Sequence, residues 1–415
     1  MTCTAALLAS ACGPPCQSIV AKRASLKRPK PDTTRPHAQL IVPFDKLNVL
    51  LTRGLQPVPS LKLNPAVSLL GMLTGITLEA RSIRVVPARK GYVGIQVHLA
   101  FAGDASPVTS MTVDIEVKPT IVRDKHRVQL ALGFGADTLR QVRPRFAKGV
   151  RARVTSAIER RLPSVMRNRV PKIVLVAAAG KVLAFLSQQG FALIRSQLLD
   201  RVGQLTRTLV SLPELPITEV RTSSVNYPTP SLRFDIYTSL PVVRGLDTGK
   251  RSKPVRGTLR VRVANSTIAQ AANWALETGR LPKRYGDNLQ PDKEGQFRPV
   301  LQWRTGNNRP LAVHVFRTKG ECMYVRAGVQ PTLKLQKGEF VASYEDRKYE
   351  QVEGNLLVKF GVWLKRWLAW FGYKSKKVAA KTAVTVGGKK VQAQVTGARL
   401  GDNELRVDVA LTFGN

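Results

Sequence analysis

The chain has 415 residues, with 66 Lys and Arg against 27 Asp and Glu, a formal net charge of +39. Hydrophobic residues make up 43% of it, which excludes a disordered basic tail. No uncharged apolar runs of ~20 residues recur, which excludes a multi-span membrane protein.

Such a charge requires an anionic partner. Phospholipid or lipopolysaccharide headgroups and nucleic acid are the two classes it leaves open. Aromatic residues at 6% give no chain-wide platform for stacking bases. The length predicts two domains or one long one.

At the N-terminus, Thr4 to Ala11 is small and apolar and Cys12 follows. This is the pattern of a bacterial lipoprotein signal ending in a lipidated cysteine, but without its basic leader. Two readings stay open: the start lies upstream and Cys12 carries lipid, or the segment is no signal. Three of the four cysteines (Cys3, Cys12, Cys16) lie in the first 16 residues and the fourth is Cys322. No distributed disulfide framework is expected, and Cys322 reads as a strand thiol. Residues 13–36 hold five prolines among Lys and Arg, so they are expected to be a solvated tether.

Gln39 to Val42 reads as a strand. Phe44-Asp45 then opens a helix with Leu47, Leu50 and Leu51 on one face and Gly54 as its stop. Between Tyr92 and Phe101, Val93, Ile95, Val97, Leu99 and Phe101 alternate with smaller or polar residues, the period-2 pattern of a strand with one buried face. Thr77 to Val86, Met111 to Val117 and Arg127 to Leu132 repeat it, so a long antiparallel meander is expected.

Residues 138–212 are expected to be helical. Between Arg140 and Lys172 stand eleven bases and one acid, Glu159. Val142, Phe146, Val150, Val154, Ile158 and Leu162 recur at steps of four, read as one amphipathic helical stripe flanked by Arg. Ile173 to Ile194 reads as a second, apolar helix. Lys181, Gln188 and Gln189 inside it favour a buried or groove-lining helix over a membrane span.

Beyond a basic linker at 246–256 the opening plan recurs. Thr258 to Val263 is an alternating strand, Asn265-Ser266-Thr267 reads as a helix cap, and Gly279 ends the helix. Alternating segments follow at 312–316, 322–325, 331–335 and 339–344, and again at 384–386, 391–395 and 405–413. The expected organisation is a tether at 1–37, a first unit at 38–245, the linker, and a second unit at 257–415. The fold class is α+β, with long curved antiparallel sheets wrapped around long amphipathic helices in two diverged repeats of one unit.

This plan, together with Gly338 to Glu353, the Trp-rich helix and Gly387-Gly388-Lys389 before paired strands, resembles the tubular lipid-binding (TULIP) superfamily, bactericidal/permeability-increasing-protein-like. Bacterial envelope members are the best match. The resemblance covers residues 38–415 in plan and implies lipid held in a groove or tunnel without catalysis, as binding or transfer. No single motif fixes the register, so it carries over no ligand residue.

In Leu356 to Tyr373, Trp363, Trp367 and Trp370 share one helical face, suited either to the core or to a membrane–water interface. With Val182, Phe185, Leu186, Phe191 and Ile194 they are the candidates to line a lipid groove. Arg140, Arg143, Arg145, Arg151, Arg153, Arg160 and Arg161 are the candidates for anionic headgroups.

A search for catalysis is negative. His37, His98, His126 and His314 stand in no HxxxH, HExxH or HxH spacing, so no metal and no cofactor is expected. No G-x-S-x-G occurs. Glu345, Asp346, Glu350 and Glu353 read as a charged strand face. The expected function is non-enzymatic binding of a lipid or other anionic amphiphile on the periplasmic side of the bacterial envelope. The alternatives are nucleic-acid binding through the Arg-rich 140–172 segment and a ligand-free structural role.

Overall fold

The computed structural model describes residues 14–54, 60–62, 77–103, 106–124, 127–132, 139–198, 211–213, 215–225, 229–247, 258–286, 291–318, 322–336, 339–353, 376–379, 381–386 and 389–413. Cys12, the Trp363–Trp370 face and most of the 246–256 linker fall outside them.

The fold is mixed α+β, and every strand pairing among the described residues is antiparallel. Strand β1 (Ala38–Pro43) leads into helix α2 (Phe44–Gly54), which follows the N-terminal helix α1 (Pro14–Lys27). A five-stranded sheet comprises β2 (Ser60–Lys62), β3 (Thr77–Val86), β4 (Val93–Gly103), β5 (Ser106–Val117) and β8 (Leu139–Phe146). The alternation predicted for β4 is present: Val93, Ile95, Val97, Leu99 and Phe101 are all buried. A small sheet joins β6 (Pro119–Asp124), β7 (Arg127–Leu132) and β9 (Ser211–Pro213).

Three helices follow β8: α3 (Val150–Arg161), the single turn α4 (Ser164–Arg167) and α5 (Lys172–Leu193). Leu175, Ala179, Val182, Leu183, Leu186, Leu193 and Ile194 from α5 and its extension join the main core. There they meet β3–β5 and Val150, Val154 and Ile158 of α3. Gly190 allows a close approach of α5 to the sheet. A Cβ there would run into Met111 Cε and come within 3.1 Å of Leu99 Cδ1.

The central sheet has seven strands. Their order is β10 (Ile217–Val225), β11 (Ser231–Thr238), β1, β12 (Thr258–Ala264), β20 (Glu404–Phe413), β19 (Lys389–Leu400) and β18 (Lys381–Val386). Helix α6 (Asn265–Thr278) leaves β12 as α2 leaves β1, and ends on Gly279 in the left-handed conformation at φ 80°, which a residue without Cβ adopts freely. A second five-stranded sheet holds β13 (Phe297–Trp303), β14 (Leu311–Arg317), β15 (Met323–Gln336), β16 (Glu339–Glu353) and β17 (Lys376–Ala379).

Several expectations are corrected. Residues 14–27 are not a solvated tether. They form α1, with Ile19 packed on Val300, Phe316 and Tyr324, Lys22 bonded to Glu353 and Lys27 to Glu277, both at 2.6 Å. Cys322 is not a free thiol: it is bonded to Cys16 across 306 positions.

Residues 139–146 form strand β8, not the start of a helix. Pro144 tolerates this position because, among the described residues, β8 is an edge strand of its sheet. Asn265, Ser266 and Thr267 do not cap α6. Their side chains donate outward to the carbonyls of Gly401 (2.7 Å), Arg244 (2.5 Å) and His37 (3.0 Å).

The more buried face of β12 carries its arginines, not its valines. Arg262 is 5% exposed. It donates to Gln39 Oε1 at 2.6 Å and pairs with Glu404, while Gln39 donates to Asp235 at 2.7 Å. Arg260 pairs with Asp408 at 2.6 Å.

Candidate functional site

Helices α3 and α5 pack against each other, and α4 closes the hairpin at one end. Pro163 and Pro171 bracket α4 at its two turns, where a missing N–H costs nothing because those donors have no helical partner. Arg167 donates to the terminal carbonyls of α3, to Arg160 O at 3.1 Å and to Leu162 O at 3.3 Å. A cation at a helix C-terminus is favourable.

The resulting tip is apolar and exposed. Val165 (69%), Met166 (55%), Ile173 (78%) and Val174 (51%) stand in solvent within ten residues of one another. Arg160, Arg167, Arg169 and Lys172 are exposed around them. Apolar side chains grouped in this way on a soluble surface mark a contact surface, where scattered ones do not.

The headgroup candidates do not all share that tip. Arg143 and Arg145 lie exposed on β8, and Arg145 is paired with Asp114. Arg151, Arg153 and Arg160 line the outer side of α3, and Arg153 donates to Lys148 O at 3.1 Å. Arg140 and Arg161 lie on β8 and α3, and their side chains fall outside the described set.

Of the groove candidates on α5, Val182 and Leu186 are buried in the main core and Phe185 and Phe191 pack against it half-buried. Ile194, one residue past α5, is buried there too. Their side chains occupy the space between helix and sheet. The outer face of α5 is the free one: Ile173, Val174, Ala177, Ala184 and Ala192 are exposed, interrupted by Lys181 and Gln188. From Lys172 to Ser196 the helix is long and apolar enough to cross a bilayer. Its inner face is nonetheless part of the main core.

The histidines that can be described are structural. His37 bridges Thr238 Oγ1 (2.8 Å) and Asp32 O (3.0 Å), and burial lowers its pKa. His314 lies between Tyr324 Oη (3.0 Å) and Gln302 Oε1 (3.2 Å). Burial pushes its pKa down to about 3, with repulsion from Arg326 and Arg304 adding to that and Glu350 opposing it. His98 meets Thr112 Oγ1 at 3.3 Å.

The acidic strand face is ion-paired: Glu350 with Arg304 and Arg326, Asp346 with Arg309, Glu345 with Lys334. Among the described residues no group of His, Cys, Asp and Glu is arranged to hold a metal.

No protein-family model matches the chain, and no curated protein matches it. Among solved structures, that of P47 of Clostridium botulinum E1 is similar over 92% of this chain and 100% of its own, at 9% identity and a TM-score of 0.42. P47 from Clostridium botulinum A2 is similar over 92% and 99%, at 8% identity and 0.35. A lipopolysaccharide binding protein is similar over 92% and 100%, at 8% identity and 0.26. None of these scores reaches 0.5, so the site is read from its own residues.

Proposed function

We propose that the chain is a non-enzymatic lipid-binding protein that docks on an anionic membrane at the bacterial envelope, with the α3–α5 tip entering the headgroup layer. The observation that carries this is the tip itself: four exposed apolar side chains inside four exposed bases. Bases near an anionic surface contribute about 1 kcal/mol each, and apolar side chains gain by leaving water at the acyl boundary. The exposed face of α5 extends the apolar strip away from the tip and offers a surface for an acyl chain.

Two further features fit this reading. Disulfides such as Cys16–Cys322 persist in oxidising compartments, among them the periplasm, which supports this reading. The central sheet is arranged around the adjacent β1 and β12, each leading into a helix. It is flanked by the hairpins β10–β11 and β19–β20. We read this as two diverged copies of one unit, the plan that resembles the TULIP superfamily.

The test is flotation with phosphatidylglycerol vesicles, phosphatidylcholine vesicles and duplex DNA in parallel. The expected result is retention on the anionic vesicles alone, weakened but not abolished by salt. Retention of DNA with none on vesicles would replace this reading with nucleic-acid binding, for which affinity falls steeply with salt.

A further inference from the structure

A cavity of about 480 Å3 opens where α1, α6, β13 and the 239–241 loop meet. Its lining is strongly cationic. Arg23 and Lys27 come from α1, Lys283 and Arg284 from the segment after α6, and Arg298 from β13. The one acid among the lining residues, Glu277, is held by Lys27 at 2.6 Å. Arg284 Nη1 spends one donor on Lys293 O at 3.2 Å.

The Nε–H of Arg23 is buried and meets no acceptor among the described residues. An unmet guanidinium donor is costly where water is excluded, and like charges around it raise that cost. Burial lowers the pKa of Arg23, with Arg298 adding repulsion and Glu277 opposing it. Burial lowers that of Arg298 as well, with Arg284 adding repulsion. An anion among these groups would satisfy donors and relieve the repulsion together.

The rest of the wall mixes the polar side chains of Ser239, Gln270 and Asn273 with apolar ones. Leu240, Leu276, Pro241 and Pro299 line it with the indole of Trp274, and the Arg280 guanidinium lies 4.4 Å from the centre of that ring. The volume falls within the range of small-ligand sites, which combine apolar walls with a few placed polar groups. Guanidinium groups suit phosphate because their planar fork presents paired donors.

We infer that this cavity binds the phosphate group of an organic phosphate ester, with Arg23, Arg284 and Arg298 holding the anion and Trp274 and Leu240 facing the organic portion. The site is built from elements other than the α3–α5 tip and stands whether or not that tip meets a membrane. Cys16 lies seven residues, two helical turns, before Arg23, so its bond to Cys322 secures the helix that supplies two of the cations.

The experiment is titration calorimetry on the full chain with glycerol 3-phosphate and, separately, monomeric dihexanoyl phosphatidic acid. It compares the parent with Arg23→Gln, Arg298→Gln and the control Arg84→Gln, an exposed base on β3 that belongs to neither proposed site. One saturable site is expected in the parent and the control, at least tenfold weaker in both cavity variants. Tighter binding of the phosphatidic acid identifies a lipid headgroup as the source, and tighter binding of glycerol phosphate a soluble ester.

Melting in phosphate-free buffer provides a check on folding. Arg23→Gln removes a repulsive cation, so its unliganded melting temperature is expected to equal or exceed the parent's, while the rise given by ligand is lost. Equal affinities in parent, control and cavity variants, or no saturable binding of either ester, would overturn the assignment.

Discussion

Replacing Ile173 by Asp probes the proposed docking tip most directly. Ile173 is 78% exposed and Val165 69%, so neither side chain holds the fold together. Surface changes of this kind move stability by only about ±0.5 kcal/mol. On a membrane the same side chains carry weight. Complete burial of Val or Ile is worth roughly 1.5–3 kcal/mol, and half-insertion at the acyl boundary about 1 kcal/mol. A carboxylate placed against anionic headgroups adds about 1 kcal/mol of repulsion, mirroring the gain per base.

Each substitution is therefore expected to cost about 2 kcal/mol, a loss of roughly thirtyfold in vesicle affinity. The pair Val165→Asp and Ile173→Asp together should lose several hundredfold. Co-sedimentation against a dilution series of phosphatidylglycerol vesicles measures this, with circular dichroism to establish that the fold is intact. A folded double variant that binds vesicles as the parent does would refute the reasoning, because no other part of the proposal depends on those two side chains.

Three other outcomes follow from the structure. His314 is neutral in the folded chain down to about pH 3, whereas the unfolded chain takes up the proton near pH 6.5. Its contribution is complete above pH 6.5 and is lost progressively down to about 3, on the order of 1 kcal/mol per pH unit in that window. Urea melts of parent and His314→Gln at pH 6.5 and 4.5 should show a smaller pH dependence in the variant, and equal slopes would refute the assignment. Burial alone would raise the Glu404 pKa, but hydrogen bonds from Arg262 and Arg406 hold it below the ordinary carboxylate range. Glu404→Ala, which leaves the buried Arg262 charge without its acid, should cost about 3–5 kcal/mol in urea melts, against under 1 kcal/mol for the exposed Glu219→Ala. Reduction of the Cys16–Cys322 bond, or Cys16→Ser, should lower stability by about 2–5 kcal/mol given the long loop it closes. It should also weaken phosphate-ester binding, and a reduced chain that melts and binds as the oxidised one does would show that α1 needs no covalent hold.

The parts of this molecule legible in the sequence are those where one physical period dominates. In β4 the alternation of Val93 to Phe101 admits only a strand with one buried face, and the structure has it. The length and apolar content of α5 likewise left little choice. The misreading at 139–146 has a definite cause. Val142 and Phe146 are four residues apart, and four is both close to a helical turn and an even number. Such a pair shares a face on a helix and on a strand alike. What separates the two is Pro144 with Arg143 and Arg145 on either side of it. These favour an extended edge strand, with Val142 and Phe146 packed inward and the two arginines facing solvent.

The helix at α1 and the inward face of β12 are of another kind, because their deciding partners are far away in sequence. Ile19 and Leu26 are spaced by seven, one weak sign of a helix with a packed side, but their partners Phe316 and Tyr324 lie near residue 320. Nothing local joins Cys16 to Cys322. In β12 the pattern of Arg260 and Arg262 against Val261 and Val263 reads as polar outside and apolar inside. The opposite assignment holds because Asp408, Glu404 and Gln39 arrive from β20 and β1 to neutralise the arginines. Both proposed surfaces follow from the same logic of charge. Where Arg260 and Arg262 are answered by acids, the chain has built its own interior. Where Arg23 and Arg298, or the bases around Ile173, meet no acid among the described residues apart from Glu277 and Glu159, we look for the partner outside the chain.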